Sequence, residues 1–205
     1  METIAVIDFE TTGLSPGQGD RATEIAAILV RNGKTIRRYQ SLMNAGVKIP
    51  GKIQALTGIT NDMIASAPSA TAVMRDVFDF VEDFPLVAHN AAFDKRFWDA
   101  ELDRIKLTRR QEFACSMLIA RRLLPNAPSH GLGDLAAFAK LPATGRFHRA
   151  QADAEMAAQL LGHLTNVVQR DYQIRNIDHD LWCRIQRTPA HQVHGFLTSY
   201  RSGGR

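Results

Sequence analysis

The stretch VIDFETTGL, residues 6–14, ends an apolar run with two acids, Asp8 and Glu10. From Glu2 to Phe9, apolar side chains occupy both alternating positions, which predicts a strand buried on both faces at the centre of a sheet. Since residues i and i+2 of a strand share a face, the two acids are expected to project side by side from its end. Like charges this close are unfavourable unless a cation lies between them, although spacing alone is equally compatible with a strand that frays into solvent.

The segments after this strand predict a mixed sheet packed against helices. The segment ATEIAAILVRNGKTIRRYQSLMN predicts two antiparallel strands joined by a turn at Asn32-Gly33. Strand-like and helical segments then alternate through PLVAHN, AAFDKRFWDAELDRI and EFACS, which favours an α/β fold. A change of character after Val168 divides the chain into a domain at residues 1–168 and an extension at residues 169–205, predicted as a helix with a loose end.

The composition favours one globular domain with an appendage, since 45% of the 205 residues are hydrophobic. Residues 1–168 carry 19 Lys and Arg against 18 Asp and Glu, which does not indicate a nucleic-acid-binding domain unless cations neutralise some acids. Cys115 and Cys183 fit no disulfide framework or metal spacing, and no apolar run is long enough to span a membrane. We therefore expect a soluble, cytoplasmic protein without membrane association.

Two further acids and a histidine occur where strands or loops lead into helices. Asp94 lies in the first turn of the helix after PLVAHN, and Asp153 lies near the start of the helix after RFHRAQ. Taken singly, each acid is typical of a helix N-terminus, where the helix dipole favours negative charge. His148 lies in the loop before Asp153, where a lone histidine is typical of a protein surface.

Three segments carry these acids and the histidine: VIDFETTGL, HNAAFDKRFWDAEL and HRAQADA. In this order they resemble the motifs of the DEDDh 3′-to-5′ exonucleases, the family of the proofreading epsilon subunit of bacterial DNA polymerase III. IQALTGITND resembles the family's connecting segment, and the match spans about residues 4–160. The resemblance implies an RNase H-like fold, with a mixed five-stranded sheet flanked by helices, here followed by a short helical C-terminal extension.

The resemblance also implies a catalytic centre with two divalent cations, for which oxygen ligands favour Mg²⁺ or Mn²⁺. His148 would be the general base that takes a proton from the attacking water. Arg146 and Arg149 flank this histidine and could contact the phosphate backbone. The cations would be bound by four acids: Asp8, Glu10, Asp94 and Asp153.

The substrate-binding positions implied by the resemblance fall in the first two of these motifs and in the connecting segment. Leu14 and Leu56 would bracket the terminal base, although Leu56 and Phe93 are also compatible with plain core packing. The full set has six members: Thr11, Leu14, Leu56, His89, Asn90 and Phe93.

These residues predict an enzyme that hydrolyses the terminal phosphodiester of single-stranded or frayed DNA 3′ ends and releases nucleoside 5′-monophosphates by a two-metal mechanism. An RNA-directed 3′-5′ exoribonuclease of the same family shares the five catalytic residues and stays an alternative. A non-catalytic module that binds nucleic acid or a polymerase is the other alternative, although such a module has no need of all five. Residues 169–205 could dock on a polymerase subunit, mediate self-association, or pack on their own domain.

Overall fold

In the computed structural model, which describes residues 2–145 and 148–203, a mixed sheet of five strands separates two layers of helices. The strands are β1 (Thr3–Thr11), β2 (Ala22–Arg31), β3 (Lys34–Leu42), β4 (Leu86–Ala88) and β5 (Phe113–Cys115). Their order across the sheet is β3-β2-β1-β4-β5. The pairs β1-β2 and β2-β3 are antiparallel, and the pairs β1-β4 and β4-β5 are parallel. The predicted mixed five-stranded sheet is therefore confirmed, with β1 at its centre.

The helices of the described ranges connect the strands and cover both faces of the sheet. They are α1 (Gly51–Thr57), α2 (Asn61–Ala65), α3 (Ala70–Val81), α4 (Ala91–Arg104), α5 (Ser116–Leu123), α6 (Leu132–Phe138), α7 (Ala150–Tyr172), α8 (His179–Arg187) and α9 (Val193–Gly203). Helix α7 covers one face of the sheet, and α3 and α4 cover the other. Among the described residues, every helix is too short or too polar to cross a lipid bilayer.

Strand β1 contributes to both hydrophobic cores. Ile4 and Val6 are buried beneath α7, whereas Ala5 and Ile7 are buried on the side of α3 and α4. Since Asp8 continues the alternation of Ile4 and Val6, its side chain leaves the strand on the face that α7 covers. The alternation thus aims the acids of β1 toward the start of α7.

The predicted hairpin is also confirmed, and its turn has the expected backbone. Asn32 and Gly33 connect β2 to β3 with φ angles of 56° and 70°. Both values lie in the left-handed region that a type I′ turn requires.

The C-terminal extension packs on the same core as α7. Helix α7 runs through residue 168 and ends at Tyr172, so it crosses the division that sequence character indicates. After it, Leu181, Trp182 and Ile185 of α8 and Leu197 of α9 are buried in the core beneath α7. The apolar stripe that could have docked on a polymerase is thus buried against its own domain.

Trp182→Ala should lower the free energy of unfolding by about 3–5 kcal/mol, because it removes a buried aromatic side chain and leaves a cavity. The measurement is urea unfolding followed by circular dichroism. Ile36→Ala is the control, since Ile36 on β3 is 45% exposed and its loss should change stability by less than about 0.5 kcal/mol. Equal midpoints for the two variants would show that the extension is not part of the cooperative unit.

Candidate active site

Four acids from three elements converge at the end of β1. Asp8 and Glu10 extend from the strand and are partly buried, whereas Asp94, in the first turn of α4, is 2% exposed. Asp153 lies in the first turn of α7 and is partly buried. The backbone N–H of Phe9 donates to Asp94 Oδ1 at 3.2 Å, which fixes the start of α4 against β1. All four carboxylates line one cleft.

His148 lies beside two of these acids. Its backbone has a φ of 62°, its side chain is exposed, and its backbone N–H donates to Asp153 Oδ2 at 3.0 Å. Three possible metal-ligand atoms lie within 4.8 Å of one another: one ring nitrogen of His148, one carboxylate oxygen of Glu10 and one carboxylate oxygen of Asp153. An imidazole nitrogen at this distance can accept a proton beside the carboxylates or share a cation with them.

The cleft has a volume of about 800 Å³. Leu14 is 75% exposed and Leu56 is 47% exposed, so neither side chain is a core residue. Phe93 is partly buried and packs on Phe97 with ring centroids 5.0 Å apart. The structure places all eleven residues singled out from the sequence in its lining: Asp8, Glu10, Thr11, Leu14, Leu56, His89, Asn90, Phe93, Asp94, His148 and Asp153.

The exposed Leu14 is presented by a loop that Asp20 holds closed. The Asp20 carboxylate accepts hydrogen bonds from the backbone N–H of Ser15 at 2.9 Å and from the Thr12 hydroxyl at 3.4 Å. A Cβ built on Gly13 would lie 2.4 Å from both carboxylate oxygens of Asp20. Residue 13 is therefore glycine because this loop closes tightly around Asp20, a constraint that the sequence pattern did not reveal.

His89 is a fixed, neutral part of the cleft wall. Its Nε2 lies 3.0 Å from the carbonyl oxygen of His130, and its Nδ1 lies 2.9 Å from the Ser116 hydroxyl. With Nε2 donating to the carbonyl, Nδ1 of the neutral ring accepts from the Ser116 hydroxyl, whose alternative acceptor is the Ala88 carbonyl oxygen at 3.3 Å. Burial lowers the pKa of His89 to about 4. Neither ring nitrogen is therefore free to act as a base.

The acids of β1 are held in an environment that disfavours their charged forms. Burial raises the pKa of Asp8 well above its ordinary value, and the carboxylates of Asp94 and Asp153 raise it further. Burial is also the main reason that the pKa of Glu10 rises to about 8, although the nearby Arg149 opposes this shift.

The acids of the two helices are shifted in the same direction. Burial raises the pKa of Asp94 to about 7, against the opposing effect of the hydrogen bond from the Phe9 backbone. Burial likewise raises the pKa of Asp153, and the hydrogen bond from the His148 backbone opposes that shift. All four acids would therefore gain from a positive charge placed among them.

These residues fit a divalent metal centre. Within the described part of the chain, Asp153 Oδ1 is buried without a hydrogen-bond partner. This oxygen lies among carboxylates whose charged forms are disfavoured. A bound cation would give the oxygen a partner and stabilise the charged carboxylates. Carboxylate oxygens are the ligands that Mg²⁺ and Mn²⁺ prefer.

An ion pair beside the acids was not predicted from the sequence. Glu24 pairs in register with Glu10 across β1 and β2, and its carboxylate binds the Arg149 guanidinium. The signal in the sequence was an acid inside the apolar run of β2, which needs a partner when buried. Arg149, for which the sequence allowed a contact with the phosphate backbone, is that partner, and Arg146 lies outside the described residues.

Comparison with known proteins gives the family. The Exonuclease (RNase T) family model matches residues 5–161. The chain belongs to this exonuclease family. It is 34% identical over 174 residues to a PolC-type DNA polymerase III of Bacillus cereus, which covers 84% of this chain and 12% of that protein. It is also 34% identical over 159 residues to the 3′-5′ exonuclease DinG of Bacillus subtilis, which covers 76% of this chain and 17% of that protein.

Solved structures of exonucleases have the same fold. Exonuclease X in complex with 5′ overhanging duplex DNA superposes with a TM-score of 0.68 at 27% identity, over 89% of this chain and 99% of that chain. The nuclease domain of 3′hExo, a DEDDh family member bound to rAMP, gives a TM-score of 0.70 at 17% identity, over 80% and 92% of the two chains. The predicted RNase H-like fold and the membership of an exonuclease family are confirmed, and the exonuclease fold implies dependence on a divalent metal.

The curated relatives are much longer than this chain. The chain spans only about a tenth to a quarter of the length of the curated relatives that it matches.

The metal-free protein should lose thermal stability as pH rises from 6.5 to 8.5. The raised pKa values of Glu10 and Asp94 mean that the folded state holds protons that the unfolded state has released, so folding weakens as pH rises toward about 7 for Asp94 and about 8 for Glu10, and levels off above these values. Melting temperatures measured with a chelator should therefore fall over this range, by about 2–4 °C for each kcal/mol lost. Excess Mg²⁺ should raise the melting temperature more at pH 8.5 than at pH 6.5.

Asp8→Asn is the matched variant, because it removes one of the crowded charges and should flatten the dependence of stability on pH. A wild-type melting temperature that is constant over this range, with or without Mg²⁺, would contradict the electrostatic description of the site.

Proposed function

We propose that the protein is a metal-dependent 3′-5′ exonuclease that hydrolyses the terminal phosphodiester of a DNA strand and releases nucleoside 5′-monophosphates. The observation that carries the proposal is the convergence of four acids and His148 in one cleft at the end of β1. Membership of the exonuclease family supports the same reaction. The four acids are Asp8, Glu10, Asp94 and Asp153.

The four acids would hold two divalent cations, of which Mg²⁺ and Mn²⁺ suit the donor set. When bound, such cations lower the pKa of a water molecule and offset the negative charge that develops on the phosphate. His148 takes the proton of the attacking water at a ring nitrogen. Its exposed position in a loop allows the imidazole to approach when a substrate fills the cleft.

The remaining lining residues position the strand end. The main chain of Thr11 binds the terminal 3′-hydroxyl, and the exposed Leu14 and Leu56 pack on the last base. The neutral His89, with Asn90 and Phe93, forms the opposite wall. Because both ring nitrogens of the neutral His89 are hydrogen-bonded, His89 shapes the cleft without binding or repelling the cations.

DNA is the proposed substrate rather than RNA. The curated relatives are named as DNA polymerases of the PolC type and as the exonuclease DinG, and the structure of exonuclease X contains duplex DNA. RNA is the second candidate, because 3′hExo was solved with rAMP in its nuclease domain. The five catalytic residues do not discriminate between the two.

A partner of residues 169–205 stays a prediction. PolC-type relatives favour a polymerase partner, but the apolar side chains of α8 are buried in the domain and are not free to dock on one. The presence of all four acids and His148 argues against a purely binding module, which has no need of all five. The cytoplasmic location also stays a prediction from composition.

Asp8→Ala should abolish Mg²⁺- or Mn²⁺-dependent release of mononucleotides from a 3′-labelled DNA strand, as should a chelator with the wild-type protein.

His148→Ala should lower kcat by about 10²- to 10⁴-fold and leave DNA binding nearly unchanged, because only proton transfer is lost. Asp76→Asn, on the exposed face of α3, is the control and should keep full activity.

The position of the label that is lost first shows from which end the strand is degraded. If a 5′-labelled strand lost its label first, or if Asp8→Ala degraded DNA as fast as wild type, the proposed reaction would be wrong. Lost binding with unaltered turnover in His148→Ala would remove the histidine from the role of base.

Single-stranded DNA, a duplex with a mismatched 3′ end and a short RNA should be degraded in that order of rate. Single-stranded DNA comes before the duplex because the terminal base of a duplex must be parted from its neighbours before it can enter the cleft, and RNA comes last because DNA is the proposed substrate. Rates are measured side by side under one metal concentration, with a fully paired duplex as the control. Faster degradation of RNA than of either DNA would make the enzyme an exoribonuclease.

A further inference from the structure

Glu24 is a buried acid that contacts the start of α7. Its side chain is 1% exposed, and its two carboxylate oxygens accept from the Arg149 guanidinium, at 3.0 Å from Nε and 2.8 Å from Nη2. The same carboxylate accepts from the backbone N–H of Ala150 at 3.1 Å and from Gln40 Nε2 at 2.5 Å. Four donors from three residues thus satisfy one carboxylate.

The contact with Ala150 replaces a missing helix cap. Arg149 occupies the N-cap position of α7, and its side chain makes no capping hydrogen bond. The first N–H groups of a helix need an acceptor from outside the helix. Glu24 provides that acceptor from β2, so the position of the first turn of α7 depends on the sheet.

A continuous set of hydrogen bonds leads from Glu24 to the acids and the histidine. The Arg149 carbonyl accepts from the Asp153 backbone N–H at 3.1 Å, and Asp153 Oδ2 accepts from the His148 backbone N–H at 3.0 Å. Glu10, which pairs with Glu24 across the two strands, lies on the other side of the same cluster. The pair Glu24-Arg149 therefore lies between the strand that carries one ligand and the helix that carries another.

We infer that Glu24 is a positioning residue of this site, which acts through Arg149 to hold Asp153 and His148 against Glu10. The inference rests on the proposed function, because the groups that Glu24 positions are the proposed metal ligands and base. Glu24 itself is not a ligand in this arrangement, since its oxygens are occupied by Arg149, Ala150 and Gln40. Mutation of groups that orient metal ligands through hydrogen bonds typically lowers metal affinity or activity by about 10- to 100-fold.

A contact with the phosphate backbone is the competing explanation for Arg149. Its side chain is 36% exposed, so part of the guanidinium faces solvent. A phosphate contact would affect binding of the DNA strand, whereas positioning affects the metal and the rate of the chemical step. Measurements of KM, kcat and Mn²⁺ affinity separate the two.

The test compares Glu24→Gln, Arg149→Gln and their double variant with wild type. Mn²⁺ binding is measured by calorimetry without DNA, kcat and KM are measured on single-stranded DNA, and stability is measured as the melting temperature. We expect Mn²⁺ affinity and kcat to fall by about 10- to 100-fold in each single variant, with KM for DNA unchanged. The double variant should be no worse than Glu24→Gln, because both changes remove the same contact.

Asp99→Asn is the matched control. It breaks another partly buried ion pair, in which Arg109 binds Asp99 through Nε at 2.6 Å and Nη2 at 3.2 Å, on α4 outside the cleft. Mn²⁺ affinity and kcat should be unchanged in this variant. Arg149→Lys retains the charge but loses the two-point contact, so it should show a smaller loss and gives a readout if Glu24→Gln does not fold.

Each outcome decides the inference. Glu24→Gln or Arg149→Lys with wild-type Mn²⁺ affinity and kcat would reduce the pair to a structural contact and overturn the inference. A raised KM in Arg149→Gln with an unaffected Glu24→Gln would assign Arg149 to phosphate and also overturn it. If wild type degraded no DNA but Glu24→Gln still weakened Mn²⁺ binding while Asp99→Asn did not, the proposed function would fail and the positioning role would stand.

Discussion

Burial of four carboxylates at the end of β1 is the constraint on which the rest of the structure depends. Burial raises the pKa of Asp8, Glu10, Asp94 and Asp153, and for Asp8 and Glu10 the neighbouring carboxylates raise it further. A flexible segment would relieve this cost by letting the side chains separate into water. Strand β1 cannot do so, because its neighbours in the sheet and the cores on both of its faces fix its path. The apolar part of VIDFETTGL thereby holds the acids within the tolerance that a metal centre needs.

Two ion pairs fasten the helices that carry the other acids to the start of β2. On the side of α4, Arg21 binds Glu101 through two contacts of 2.8 Å, and Glu101 is 2% exposed. On the side of α7, Glu24 binds Arg149 in the same two-point manner. Buried ion pairs contribute little net stability, since desolvation offsets most of the attraction. The Glu24-Arg149 pair lies at the start of α7, beside Asp153, and the Arg21-Glu101 pair lies near the C-terminal end of α4, so both agree better with a role in fixing where these helices lie.

The sequence predicted those features that neighbouring residues decide. The apolar run on both faces of β1 predicted a central strand, and Asn32-Gly33 predicted the hairpin, because each pattern reflects local geometry. The pairing of Glu24 with Arg149 was not predictable, because 125 residues separate the partners and only the folded sheet brings them together. The burial of Trp182 has the same explanation, since helical spacing shows that a face is apolar but not which surface it covers. Family motifs indicated the cleft residues, whereas Asp20 and its effect on Gly13 depend on the closed loop.

Asp153 connects the proposed ligands to the proposed base through a single carboxylate. One oxygen accepts from the His148 backbone, and within the described residues the other is buried without a hydrogen-bond partner. The unpartnered oxygen can bind a cation while the first restrains the residue from which the imidazole extends. This restraint matters because His148 has a positive φ of 62°, a conformation that costs energy for a residue with a Cβ and persists only when its contacts require it. In the proposed reaction, cation binding and placement of the base would therefore depend on the same side chain, and the start of α7 would position both.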